Sequence, residues 1–242
     1  MRLDKYLAEH NLASSRQRAI LLIKDGKVKV DDKIIFKPSF LVGEKSKIIL
    51  LGQEDKYVAR SAYKLLKAIE KFDINLKGKI CADIGASTGG FCQIMLENGV
   101  KKIYAIDVGH SQLHEKIKNN SKIINLEKTN ARALSDSIFG EKLNFISIDV
   151  SFISLELILP NLTKFLDNSG SIIALIKPQF EVGLEGIGRG GLVKNDKYRE
   201  KAILKIRDLV KNIGLEEIGF CVSPIKGGDG NIEYLIYLKK SV

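Results

Sequence analysis

Residues 81–91 read CADIGASTGGF, an apolar run that stops at Asp83 and passes into Gly85, Ser87, Gly89 and Gly90. Such a stretch serves one of three ends: a glycine-rich turn for a nucleotide-like cofactor, a GxSxG elbow presenting Ser87 to an ester, or a tight turn without a ligand. The elbow needs an acid and then a histidine after its serine. The histidines are His10, His110 and His114, and the last two follow the second strand too soon to serve. A dinucleotide fingerprint wants GxGxxG, which GASTGG does not supply. A P-loop needs GK before Ser or Thr, absent here and in GLEGIGRGG. What stays open is an adenosine cofactor lacking a pyrophosphate, its ribose hydroxyls accepted by Asp107, or a plain turn.

Other polar residues end apolar runs in the same manner: Asp107, Glu127 with Asn130, Asp149 and Lys177. One polar residue after a buried strand is merely where the strand meets water. A whole row on one edge of an α/β sheet is where such folds bind ligands. Lys177 closes an entirely apolar run before Pro178, which makes it a desolvated ammonium and the best candidate for a general base. No His, Cys or carboxylate cluster suggests a metal.

From residue 79 onward strand-like runs (KICADIG, KIYAIDVG, KIINLEK, LNFISIDVS, SIIALIKPQ) alternate with segments long enough for helices, the rhythm of a doubly wound parallel sheet. A long helix is expected from about Asn195 to Ile213, then EEIGFCVS and NIEYLIYLKK, joined by PIKGGDG and therefore antiparallel. Glu233 reaches the polar rim if that last strand inserts reversed. Residues 60–72 carry helical spacing with Leu65, Leu66, Ile69 and Phe72 on one side, and Lys64, Lys67 and Lys71 on a side expected to be solvated. The glycine-rich loop 183–193 reads equally as a lid or as a plain connection.

The chain has 242 residues and a net charge of +10, with 13 Lys or Arg against 8 Asp or Glu in residues 1–60. A basic module of that kind favours a polyanion, nucleic acid before a membrane surface. No apolar run approaches the roughly 20 residues of a membrane span, and the amphipathic start MRLDKYLAEHN lacks a secretory h-region, so a cytoplasmic location is expected. Cys81, Cys92 and Cys221, odd in number and in apolar segments, read as small buried hydrophobes.

Within the basic module, Asp4–Glu9 and Arg16 to about Asp25 read as helices, the second capped by Ser14 or Ser15 and stopped by Gly26. Short basic strands follow, KVKVDD and KIIFKP, with a turn at Asp31 and Asp32, then SKIILL. The stretch SSRQRAILLIKDGKVKVDDKIIFKPS resembles the S4 RNA-binding module, although Asp31 and Asp32 stand where that module often has Asn-Gly. The resemblance implies phosphate contacts for Arg16, Arg18, Lys24, Lys27 and Lys29, which position RNA without reading its bases. The expected organisation is an S4-like domain at 1–50, a linker at 51–58 (LGQEDKYV) and the larger domain at 59–242.

Together with YVARSAYKLLKAIEKF, AIDVGHSQL, ISIDVSFISL, LIKPQFEVG and GNIEYLIYL, the glycine loop is similar to the TlyA family of ribosomal RNA methyltransferases, known also as haemolysin A and related to FtsJ. The resemblance spans essentially the whole chain. It implies an α/β fold: a Rossmann-like, class I S-adenosylmethionine-dependent methyltransferase sheet, mostly parallel with the last strand antiparallel, preceded by the small α+β S4 domain. The activity implied is methylation of a cytidine ribose 2′-hydroxyl in ribosomal RNA, on a monomer without metal. S-adenosylmethionine is then expected against Asp83, Gly85, Ala86, Ser87, Gly89, Gly90 and Phe91, its ribose on Asp107, its adenine near Asn130 and Ala131, and its sulfonium close to Asp149. FtsJ-like enzymes carry a Lys, Asp, Lys, Glu tetrad, and the matching positions are Lys64, Asp149, Lys177 and Glu233.

Only the resemblance promotes Lys64, which helical spacing assigns to solvent. The linker's DKYV replaces an Arg and Trp found in better-known members, and the short termini resemble members that act on large-subunit RNA. The other function classes are a non-catalytic ribosome-assembly factor, opposed by the intact loop and tetrad, and a cytolysin, opposed by the lack of a signal or membrane-length segment.

Overall fold

The computed structural model describes residues 1–10, 12–13, 15–43, 45–51 and 56–241, in two compact units, Met1–Lys56 and Tyr57–Val242. Ser14, offered as an alternative cap, and residues 52–55 of the expected linker lie outside the described residues.

In the smaller unit, helix α1 (Leu3–Glu9) packs on α2 (Arg16–Lys24), and three short strands, β1 (Val28–Val30), β2 (Lys33–Ile34) and β3 (Ile48–Leu50), pair in the order β2-β1-β3. Ser15 caps α2, accepting from the Arg18 N–H at 3.1 Å. Asp31 and Asp32 both take positive φ, 50° and 64°, as the two-residue hairpin between Val30 and Lys33 requires. Asn-Gly would adopt this turn with less strain, but the Asp31 carboxylate offsets part of the cost by accepting the Lys47 N–H at 2.8 Å. The second strand is shorter than KIIFKP suggested: it ends at Ile34, and Phe36 is exposed. Leu3, Leu7, Ala19, Ile23, Val28 and Val30 fill the core of this unit.

The larger unit is a seven-stranded sheet flanked by helices. Helix α3 (Ala62–Phe72) leads into β4 (Ile80–Ile84), α4 (Gly90–Glu97), β5 (Lys102–Ile106), the single turn α5 (Glu115–Lys118) and β6 (Ile123–Leu126). Then come β7 (Leu143–Ile148), the one-turn α6 (Leu159–Leu162), β8 (Leu166–Ile176), the one-turn α7 (Pro178–Glu181), α8 (Asp196–Asn212), β9 (Leu215–Val222) and β10 (Tyr234–Lys240). The strand order is β6-β5-β4-β7-β8-β10-β9, with β10 antiparallel to both neighbours.

The inner strands are mostly apolar, as expected where helices cover both faces, with Asp83 and Ser147 as buried polar exceptions. Alternate residues feed two cores: Ala82, Ile84, Ile146 and Ile148 pack on one side, Cys81, Phe145, Ile173 and Leu175 on the other. Helix α8, capped by Asn195, buries Ala202, Ile206 and Val210 at four-residue spacing. Tyr57 and Val58 were expected in the linker, but Tyr57 is buried, edge-on to Tyr63, and the Val58 N–H donates to Gln93 Oε1 at 2.8 Å. Both therefore belong to the larger unit.

Candidate active site

The carboxyl ends of β4, β5, β6, β7 and β8 lie along one rim, because those strands are parallel. Asp83, Asp107, Asp149 and Lys177 are at or just past those ends. Reversal of β10 brings its first residues to the same rim, since Tyr234 pairs with Ile176. Glu233 therefore sits beside the end of β8.

The glycine loop is shaped by close backbone approach. Gly85 has φ +84°, and a Cβ there would lie 2.5 Å from the Asp149 carbonyl oxygen. Only glycine lets the loop after β4 rest on the loop after β7. Ser87 also holds a positive φ, 47°, and its N–H donates to Asp107 Oδ2 at 2.8 Å. Asp107 Oδ1 accepts the Gly109 N–H at 2.7 Å, and the Asp107 carbonyl accepts from Thr129 at 2.9 Å. One residue thus joins the loops after three strands and brings Asn130 and Ala131 close. Asn130 is exposed and caps a short 3-10 turn through the Arg132 N–H, while Ala131 is buried. Gly89 serves the turn against Ile117, and Gly90 abuts Ser61 at the start of α3.

Asp83 is 1% exposed and accepts from the Ser147 hydroxyl at 2.7 Å and the Cys92 thiol at 3.2 Å. Burial pushes its carboxyl up to about 6, against the lowering effect of those two donors. Read in the sequence as a plain hydrophobe, Cys92 is thus also a hydrogen-bond donor.

Across the cleft, four charged side chains form a continuous chain. Glu233 Oε2 lies 2.6 Å from Lys64 Nζ, Lys64 Nζ donates to Asp149 Oδ2 at 3.2 Å, and Asp149 Oδ1 lies 2.6 Å from Lys177 Nζ. Lys64, Lys177 and Glu233 are all buried, which contradicts the solvated face that helical spacing gave Lys64. Lys67 and Lys71 do remain exposed. For Asp149, burial raises the carboxyl, but the Lys177 and Lys64 ammonium groups outweigh it and hold it below the usual range. Ser151, which the sequence did not single out, accepts from Lys177 Nζ at 3.0 Å. No local sequence pattern reveals it, because the two residues are 26 apart in the chain and come from different loops.

These groups line one cleft of about 370 Å³, with Asp83, Gly85, Ala86, Ser87 and Phe91 on one wall and Lys64, Asp149, Lys177 and Glu233 on the other. That size suits a small cofactor with part of a substrate. A larger open hollow of about 1120 Å³ runs along α8, but its Lys205 and Lys201 pair with Glu156 and Glu185, and none of its charged side chains is buried. The smaller cleft is the candidate site. Among the described residues no group of His, Cys, Asp or Glu is placed to hold a metal ion, and no helix is long and apolar enough to cross a membrane.

In the smaller unit Asp4 is fully buried and binds Arg2 and Arg16, each at 2.9 Å. Arg16 and Arg18 stand in the first turn of α2, Lys24 at its end, Lys27 just before β1 and Lys29 within it. Arg16 is therefore held by a carboxylate on one side while more than half of its side chain stays exposed.

Comparison with known proteins agrees with this architecture. Residues 57–240 match the FtsJ-like methyltransferase model and residues 1–48 the S4 domain. The 16S/23S rRNA (cytidine-2′-O)-methyltransferase TlyA of Mycobacterium tuberculosis is 37% identical over 98% of this chain and 89% of its own. The 23S rRNA (cytidine-2′-O)-methyltransferase TlyA of Campylobacter jejuni is 38% identical over the full length of both. Among solved structures, a candidate hemolysin from Streptococcus thermophilus aligns with a TM-score of 0.80 at 38% identity, covering 100% of this chain and 88% of that one.

Proposed function

Because the chain belongs to the FtsJ-like methyltransferase family, we propose that it methylates the ribose 2′-hydroxyl of a cytidine in ribosomal RNA with S-adenosylmethionine. The observation that carries the reading is the buried Glu233–Lys64–Asp149–Lys177 chain facing the glycine loop across one cleft. Such a substrate, held by the larger unit with help from the S4 domain, also accounts for the basic smaller unit, and it assigns the enzyme to the cytoplasm.

The residues fit the cofactor: the Gln179 Oε1 atom in the cleft is buried without a hydrogen-bond partner among the described residues, and so is free to meet a bound group. Asp107 has spare acceptor capacity for ribose hydroxyls, Ser87 and Asp83 flank the methionine portion, and Asn130 with Ala131 borders the adenine. When bound, the cofactor supplies a methyl group on a sulfonium, an electrophile that needs only an aligned nucleophile.

The protein's part is alignment and proton removal. Lys64 and Lys177 balance Asp149 and Glu233, so the buried cluster is neutral by itself. A cationic group bound in the cleft would leave one positive charge in excess. Lys177 then takes the proton of the ribose hydroxyl, with Ser151, exposed at 3.0 Å, offering a route onward to water. Lys64 and Glu233 hold Asp149, and so Lys177, in place.

The test is transfer of radiolabelled methyl from S-adenosylmethionine to unmodified small and large ribosomal subunits assayed separately, followed by mapping of 2′-O-methyl sites. The two relatives differ in that respect, one named for both RNAs and one for 23S alone. Transfer to the large subunit at a cytidine is expected. No transfer to any unmodified ribosomal particle overturns the reading.

A further inference from the structure

The loop that begins at Asp149 and the segment that begins at Lys177 touch at three places. Lys177 forms the first, with Asp149 at 2.6 Å and Ser151 at 3.0 Å. The Phe152 and Phe180 rings form the second, with centroids 5.2 Å apart. The third is Glu181, the last residue of α7, whose carboxylate accepts from the Ser154 hydroxyl at 2.6 Å and the Leu155 N–H at 2.9 Å. Glu181 is 6% exposed, an unusual place for a carboxylate. Lys205 of α8 adds an ion pair at 3.6 Å and donates to the Glu181 carbonyl at 3.0 Å. Burial raises the Glu181 carboxyl, against the lowering effect of the Ser154 and Leu155 donors.

Nothing in methyl transfer calls for this group, and a buried charge is costly unless its bonds are needed. Its geometry supplies the need. Lys177 caps the start of α7 and Glu181 ends it, with the Phe180 N–H bonded to the Lys177 carbonyl at 2.9 Å between them. One turn of helix therefore carries the candidate base at one end and an anchor at the other. The partner loop is arranged likewise, with Asp149 at its start and Ser154 at its far end, and it has to hold Phe152 at a positive φ of 63° in between. A loop with such a conformation needs fixing at both ends to keep its first residue in register.

We propose that Glu181 is a positioning residue that sets the separation of Lys177 and Asp149 by locking the far ends of their two segments together. This rests on the reading of the cleft as a methyltransferase site. A misplacement of about 1 Å can cost on the order of 100-fold in rate while leaving binding intact.

The experiment compares wild type, Glu181→Ala, Glu181→Gln and Ser154→Ala. Measured for each are kcat and KM with ribosomal subunits, S-adenosylmethionine affinity by calorimetry, and a crystal structure. Glu181→Ala is expected to lower kcat roughly 10- to 100-fold, leave cofactor affinity within about twofold, and lengthen the Lys177–Asp149 contact. Glu181→Gln keeps an acceptor for the Leu155 N–H and can donate to Ser154, so it should recover most of kcat. An alanine variant with wild-type kcat, or a parallel fall in kcat, affinity and melting temperature that glutamine does not reverse, overturns the proposal. Should Glu181→Ala fail to fold, Ser154→Ala carries the test: it must lower kcat at unchanged affinity. If the wild type transfers no methyl at all, the functional reading fails by itself. The crystal structures then still decide whether removing the anchor shifts Lys177 relative to Asp149.

Discussion

Lys64, on the first helix of the larger unit, and Glu233, at the mouth of its last strand, meet at 2.6 Å with both side chains almost wholly buried. Each is the other's main reason for tolerating burial. Truncating Lys64 to Ala leaves Glu233 uncompensated and is expected to destabilise the fold by about 3–5 kcal/mol. Chemical denaturation of Lys64→Ala, Glu233→Gln and the double variant measures the coupling. The double variant should be more stable than Lys64→Ala alone, and simple addition of the two losses would contradict the pairing.

Lys177→Ala should reduce methyl transfer by at least about 100-fold, the usual worth of a positioned base, while cofactor binding persists. Single-turnover transfer with a matched binding isotherm checks both halves. Near-normal turnover would refute the assignment. Ser151→Ala, which removes only the 3.0 Å partner of Lys177, should be milder, with kcat lower and KM for the cofactor unchanged.

Asp107 is the joint between three loops and the proposed acceptor of the ribose hydroxyls. Charge-assisted hydrogen bonds contribute about 1.5–3 kcal/mol each, so Asp107→Asn should weaken S-adenosylmethionine binding roughly 10- to 100-fold. Calorimetric titration reads this directly. Unchanged affinity would place the ribose elsewhere.

The Asp83 carboxyl stands at about 6 in the folded protein against 3.8 for the free group. A folded value above the unfolded one means that the native state binds the proton more tightly, so the contribution to stability is greatest below about pH 4. It is lost as pH rises towards about 6, amounting to roughly 3 kcal/mol for a shift of this size. Asp83→Asn removes the titration. Its melting temperature relative to wild type should therefore climb between pH 4 and pH 6.5, and parallel pH profiles would exclude a raised Asp83.

The parallel sheet, the rim and the long helix at Asp196–Asn212 were legible in the sequence because each depends on local runs: apolar strands, the polar residues that end them, and the Asn195 cap. Lys64 was legible only through the family resemblance, not from its helical spacing. Its neighbours on the helix are Lys67 and Lys71, both exposed, and the carboxylates that bury it come from the ends of β7 and the approach to β10. Helical periodicity carries no information about groups so distant in the chain. Ser151 and Glu181 escaped for the same reason, since each acts across two loops. Cys92 was read correctly as buried, but its donation to Asp83 joins a residue of α4 to one of β4, which local sequence does not show. Tyr57 and Val58 looked like linker because the residues around them are polar, whereas the contacts that recruit them are with Tyr63 and Gln93.

The reversed β10 lies between β8 and β9 instead of at the edge. The edge strand β9 thus joins the sheet only through a strand that follows it in the chain. The carboxylate that completes the buried charge chain arrives with that same strand. Closure of the sheet and completion of the buried charge chain therefore depend on one and the same strand, so a loss of β10 pairing would undo both together.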